Sequence, residues 1–264
     1  MKNDKKLAEK ETLKILISGF IILVLLGGMI WKESRPEWRQ YQQGFTKVFK
    51  EYIDPSSDPG SSAFGVKQIY LPLANRVDRC MTCHLGIGVQ GLEKAPLPYQ
   101  THPDPTITWI HHIERFGCTL CHEGQGYALT KDEAHGNVSL RLWSKPTLPK
   151  EFLQASCGKC HNPDLMKEDA PKLFAGKQLF KEKGCIDCHK IGAIGGSIAP
   201  ELTNLARFSI RYLLESVMHP TANDPNSVMP NLGFTEEKAK ILLVFLLSLD
   251  ETYIPHDYKI VLQQ

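Results

Sequence analysis

All eight cysteines of this 264-residue chain fall into four copies of one pentad, C-x-x-C-H. The copies are Cys80-Met81-Thr82-Cys83-His84, Cys118-Thr119-Leu120-Cys121-His122, Cys157-Gly158-Lys159-Cys160-His161 and Cys185-Ile186-Asp187-Cys188-His189. Two thiols separated by two residues reach one edge of a porphyrin and add to its two vinyl groups. The next residue, His, then reaches the iron from below, so the motif reads as covalent haem attachment. No other feature constrains the fold as strongly. Macrocycles take the place of much of a side-chain core, and no cysteine remains for a disulfide or a catalytic thiol.

Zinc knuckles and redox dithiols also use C-x-x-C pairs, and a single copy would be ambiguous. His occupies only 10 of 264 positions, so four pairs each followed at once by His do not arise by chance. The expected cofactors are therefore four covalent haem c groups. Cys80, Cys83, Cys118, Cys121, Cys157, Cys160, Cys185 and Cys188 would hold them, with His84, His122, His161 and His189 as proximal ligands. The formal charge of +2 misleads, because each haem brings two propionates and the loaded chain should be net acidic. Lysines and arginines are scattered among acids, which excludes a nucleic-acid footprint. With 20 glycines and 17 prolines, a loop-rich fold is expected around the haems.

Near the N-terminus five lysines precede residues 15–31, an uncharged apolar run closed by Trp31 and Lys32. That run matches a short transmembrane helix. A cleaved signal peptide is the rival, since haem attachment requires export. No A-x-A-like site follows, so an uncleaved anchor is expected, with a cytoplasmic N-terminus and an extracytoplasmic haem region. Residues 36–52 read as an amphipathic helix with Pro36 at its first position. Trp38, Tyr41, Phe45, Val48, Phe49 and Tyr52 form its aromatic stripe, which would pack on the chain's own haem region or dock a partner subunit. Residues 54–65 form a linker rich in Pro, Ser, Asp and Gly, and 66–71 a short extended run.

From residue 171 the pattern changes. A helical stretch over 172–183 leads into the fourth pentad. A second covers 210–218. A third starts at Thr235, a plausible N-cap with Glu236 and Glu237 behind it, and continues through the apolar run 241–249. The expected division is anchor 1–35, amphipathic helix and linker 36–65, three-haem region 66–170, single-haem domain 171–250 and tail 251–264. The fold class is mainly α with much irregular structure.

Residues 171–250 resemble class I cytochromes c in the order of their parts: pentad, Gly195-Gly196, Pro200, Met229-Pro230 and a final helix. The resemblance implies that Met229, forty residues after His189, is the second axial ligand of the fourth iron. The alternative is an ordinary core methionine. Six histidines lie outside the pentads: His102, His111, His112, His135, His219 and His256. His102, His111 and His135 lie within the three-haem region and are the expected distal ligands there. His112 competes almost evenly with His111, and a surface or propionate-binding role competes for each. Sequence leaves open which distal His serves which iron.

A second resemblance covers 66–161. It rests on Arg76-Val77-Asp78-Arg79 before the first pentad, Phe116-Gly117 before the second, Glu123-Gly124-Gln125-Gly126 after it, Ala134-His135-Gly136, and Ala155-Ser156 before the third. These are similar to membrane-anchored multihaem cytochromes, cytochrome c subunits of bacterial quinol-oxidising complexes with cytochrome b and Rieske-type partners. Four-haem reaction-centre cytochromes use methionine at most irons, and few methionines stand near the first three pentads here. The resemblance implies electron transfer through four haems on the periplasmic side of the cytoplasmic membrane. Electrons would enter from a quinol-oxidising complex and leave from the Met229 site to a downstream acceptor. Bis-His irons tend to low potential and a His/Met iron to high potential, which sets the direction. The alternative is a multihaem oxidoreductase acting on a small nitrogen or sulfur compound at an open axial position. Enough His and Met are present to fill every site, so an electron-carrying role is favoured over a catalytic one.

Overall fold

The computed structural model describes residues 2–57, 59–60, 64–72, 74–136 and 146–249. The chain is mainly helical, with irregular stretches and two small antiparallel sheets among the described residues. It folds as two compact units. One joins residues 1–65 to 83–101, and the other joins 66–82 to 102–264.

The first unit starts with helix α1, Lys2–Glu33. It contains a window long and apolar enough to cross a membrane, none of which is buried inside the chain. Leu16, Phe20 and Leu23 are 65%, 69% and 67% exposed. At the end of the helix the Arg35 guanidinium lies 4.7 Å from the centroid of the Trp31 ring. Helix α2, Glu37–Tyr52, follows after a short break. Pro36 caps it from an extended conformation (ψ 146°), one position earlier than expected, while its carbonyl accepts the Arg39 N–H at 3.1 Å. That is the half-in geometry of an N-cap.

The aromatic stripe of α2 buries against the segment that follows the first pentad. Phe45 and Val48 form a core with Leu92 and Ala95, flanked by Leu85, Val89 and Tyr99. Gly44 lets the helix come this close, because a Cβ there would strike the Tyr99 hydroxyl. The buried Gln42 amide holds the end of the linker at both atoms. Its Nε2 donates to the Gly65 carbonyl at 2.7 Å, and its Oε1 accepts the Gly65 N–H at 2.9 Å.

The second unit opens with β1, Ile69–Leu71, paired antiparallel to β2, Arg76–Asp78, with Ile69 opposite Asp78. Four short helices follow: α3 (Pro105–Ile110), α4 (Ile113–Phe116), α5 (Thr119–His122) and α6 (Lys131–His135). A 3-10 stretch, Lys150–Lys159, leads to α7, Pro171–Glu182, and α8, Cys185–Cys188. After the hairpin β3, Lys190–Ile191, and β4, Ile194–Gly195, come α9 (Ile210–Met218), α10 (Pro220–Asn223) and α11 (Glu236–Leu247).

The main core of this unit is built from α7, α9 and α11, with Leu173, Phe180, Leu213, Val217, Leu243 and Phe245 among its members. Helices α7 and α11 cross where Gly176 leaves no side chain, since a Cβ there would run into the Ile241 carbonyl. Thr235 caps α11 as expected, accepting the Lys238 N–H at 3.4 Å. The 3-10 stretch adds Phe152 and Ala155 to the same core. The third pentad therefore begins inside the C-terminal helical core.

Candidate functional site

Three of the four pentads fold as a single helical turn. In the second, the N–H groups of Cys121 and His122 both donate to the Cys118 carbonyl, at 3.2 and 2.9 Å. In the third, Cys160 and His161 do the same to Cys157, at 3.1 and 2.8 Å. In the fourth, His189 donates to Cys185 at 2.9 Å. A turn of this kind brings residues three and four apart onto one face, so the two cysteines and the following His lie together. The first pentad differs. Its Cys80–Thr82 part is a 3-10 turn, with Thr82 donating to the Arg79 carbonyl at 2.8 Å. The boundary between the two units falls inside it, so Cys83 and His84 belong with α2.

The pentads are joined by residues that the sequence did not single out as functional. Asp78, 1% exposed, accepts from the backbone of two pentads at once. Its Oδ1 takes the Cys80 N–H at 3.0 Å, and its Oδ2 takes Cys118 and Thr119 at 2.8 Å each. Burial alone would raise this carboxyl, but the three N–H donors outweigh it and hold it below the ordinary carboxylate value. Asp78, Cys80 and Cys118 also lie within 4.8 Å of one another. The three backbone bonds account for the carboxylate without a cation.

The second and third pentads are tied in two ways. The Ser156 hydroxyl donates to the Cys121 carbonyl at 2.6 Å. Lys159, inside the third pentad, pairs with Glu123, which follows the second, and the two side chains are 3% and 5% exposed. Gly158 in turn lies against Ser248 beyond α11, where a Cβ would come within 2.7 Å. These contacts join residues distant in the chain, so no local pattern announces them. Asp78 was visible only as a member of a resemblance motif.

Five of the eight thiols are shifted upward. Burial and the neighbouring Glu37 carboxylate push the Cys83 thiol up to about 11. Burial likewise raises Cys121 to about 11. Contact with Cys118, then burial, raises Cys80, and burial raises Cys157 and Cys185. Reactive dithiols need the opposite shift. His122 and His161 are lowered, first by burial and then by the histidines facing them, His102 and His111. Both shifts favour the neutral imidazole, the ligating form.

Those facing pairs are well defined. The His102 and His122 ring centroids lie 6.3 Å apart with planes at 75°. His111 and His161 lie 6.0 Å apart at 88°. His112, beside His111, is exposed and caps α4. His135 ends α6, half-buried, and its carbonyl accepts the Thr147 N–H at 3.2 Å. His219 is exposed between α9 and α10, and His256 lies outside the described residues.

At the fourth pentad, His189 Nδ1 sits 2.7 Å from the Pro200 carbonyl. A carbonyl can only accept, so Nδ1 carries the proton and Nε2 is left as the donor atom for a metal. Gly195 and Gly196 let the following loop lie on the pentad backbone, because a Cβ at either would meet the carbonyl of His189 or Asp187. Met229 is half-buried, with its N–H 3.3 Å from the Ser227 hydroxyl. The loops of this region hold Ile194, Ile198 and Val228 at 72%, 76% and 83% exposure. Paired thiols, a His fixed for Nε2 ligation and outward apolar side chains fit a covalently held haem. A zinc knuckle would account for none of the apolar display.

No family model and no solved structure matches the chain. Part of it is similar to a nitric oxide reductase component of Paracoccus denitrificans, with 29% identity over 89 residues. The match covers 29% of this chain and spans 58% of the length of that relative.

Proposed function

We propose that the protein is a membrane-anchored electron carrier that binds four haem c groups and passes electrons between membrane redox partners. The observation that carries this reading is the placement of all eight cysteines in four C-x-x-C-H pentads, three of them folded as one helical turn. Bound haem supplies a one-electron couple at each iron. The chain's own residues do the rest. The eight cysteines hold the rings, and His84, His122, His161 and His189 bind from the pentad side. His102, His111 and His135 serve as distal ligands in the three-haem region, and Met229 serves the fourth iron. With His189 and the Met229 thioether as its ligands, the fourth iron would have the highest potential, so electrons would enter among the first three sites and leave from the fourth.

Helix α1 anchors the chain, with its lysine-rich start in the cytoplasm and the haem region outside. The likeness of residues 66–161 to cytochrome c subunits of quinol-oxidising complexes supports a cytochrome b/Rieske-type donor. A second reading of the partner is favoured by the similarity to a component of nitric oxide reductase: the chain would feed a terminal reductase. In both readings it carries electrons and leaves the chemistry on small molecules to its partner.

The test is the haem content of the full-length protein purified from membranes. Four haems per chain by pyridine haemochrome, none of them extracted by acid-acetone, is the expected result. Three or fewer, or bound zinc in their place, would overturn the four-haem reading. Partners that remain attached in mild detergent then decide between a quinol-oxidising complex and a reductase.

A further inference from the structure

We propose that the segment 102–111, which holds helix α3, supplies the distal ligands of two neighbouring irons, with His102 opposite His122 and His111 opposite His161. The proposal rests on the covalent-haem reading above and assigns which distal residue serves which pentad. A metal–imidazole bond of about 2.0–2.1 Å, with the ring centroid about 1.1 Å behind the nitrogen, sets two trans imidazoles about 6.2–6.4 Å apart. The observed separations are 6.3 and 6.0 Å. Ordinary edge-to-face aromatic pairs fall in the same broad range. Three features separate these pairs from chance contacts. The arrangement occurs twice. Each time it joins a pentad His to a His outside any pentad. In each case Nδ1 of the outer ring lies against a backbone carbonyl, which leaves Nε2 as the nitrogen able to ligate.

That orientation is set locally. His102 Nδ1 lies 2.7 Å from the Asp104 carbonyl, and His111 Nδ1 lies 3.3 Å from the Ile107 carbonyl. Both carbonyls require a proton on Nδ1, which leaves the Nε2 lone pair for a metal. The Asp104 N–H also lies 3.2 Å from His102 Nδ1, but the shorter carbonyl contact decides the tautomer. Asp104 caps α3 with its carboxylate, accepting from Thr106 and Ile107 at 3.0 and 3.2 Å. The two histidines thus flank one short, capped helix. The pentads they face are already joined to each other by Ser156–Cys121 and Glu123–Lys159. Haems 2 and 3 then form one ligand-sharing unit, and His112, exposed beside His111, is not a ligand.

The experiment uses the full-length, haem-loaded protein with carbon monoxide as probe. The reduced wild type should leave these two irons closed. His102→Ala and His111→Ala should each create one high-spin iron that binds one equivalent, and the double variant two. His112→Ala should bind none. Haem content by pyridine haemochrome should be unchanged throughout. A low haem count would count against the four-haem reading itself, whereas a full count with a different opening pattern would overturn only the pairing. To assign the irons, His102→Ala is placed on a Cys118→Ala/Cys121→Ala background that lacks the second haem. It should then open no further site; a newly opened iron would overturn the assignment. If that background does not accumulate, electron paramagnetic resonance decides. Planes at 75° and 88° call for two strongly anisotropic low-spin signals of large gmax, one lost in each single variant. Rhombic signals of parallel imidazoles, or the loss of both from one substitution, would overturn the proposal.

Discussion

Asp78 is one carboxylate serving three backbone N–H groups on two pentads. Asp78→Asn keeps the shape but turns an amide NH2 toward N–H donors, leaving buried groups unpaired. The expected loss is about 1.5–3 kcal/mol at neutral pH, read from urea denaturation. Because its folded-state pKa lies below the unfolded value, this stabilisation is fully present above the ordinary carboxylate range. It is lost as the pH falls through the lowered folded value. Wild type and variant should therefore converge in acid; a gap that widens there would contradict the assignment. The Glu123–Lys159 pair is a second residue-scale clamp, buried on both sides. Lys159→Met alone removes the buried ion-pair partner of Glu123, at a cost of about 3–5 kcal/mol. Adding Glu123→Gln should recover more than half of that, which a double-mutant cycle would measure.

At the scale of elements, the crossing of α7 and α11 holds the C-terminal core together, and Gly176 sets how close they come. Gly176→Ala forces the helices apart by backbone shift, and overpacking of this kind costs about 1–3 kcal/mol. Because the third pentad's 3-10 stretch shares that core, the substitution should perturb the spectrum of the haem proposed at Cys157–His161 as well as lower Tm. A lowered Tm with that spectrum unchanged would show the two to be uncoupled. The same core has members on both sides of residue 170. Leu173 and Phe152 sit in one core although Pro163, Pro171 and a short turn separate them along the chain.

On the scale of the whole molecule, the proposed function gives α1 and the haem-bearing parts separate tasks. Replacing residues 1–35 by a cleavable export signal should yield a soluble protein with its haem content intact. If it still sediments with membranes, α2 binds lipid or a membrane partner, although its stripe already packs on Leu92 and Ala95. The full-length protein should also show a protease-resistant N-terminus and an accessible haem region in right-side-out vesicles. The reverse pattern would invert the topology drawn from the lysines ahead of the apolar run.

The turn geometry of the pentads was legible from residue order alone, because a C-x-x-C-H turn is local: it closes within one helical turn at Cys118, Cys157 and Cys185. The apolar run 15–31, the cap at Thr235 and the stripe of α2 were equally legible, since each follows from spacing along one helix. Partnership was not. Asp78 bridges forty residues to Cys118, Ser156 reaches back to Cys121, and Lys159 to Glu123. His102, His111 and His112 are the same residue type a few positions apart, and sequence weighed the last two almost evenly. The fold turns His111 toward His161 and leaves His112 in solvent, because the break between α3 and α4 points successive side chains in different directions. Which residues can bind is a matter of chemistry written in the chain. Which of them meet is decided by the path the backbone takes to satisfy its own buried hydrogen bonds.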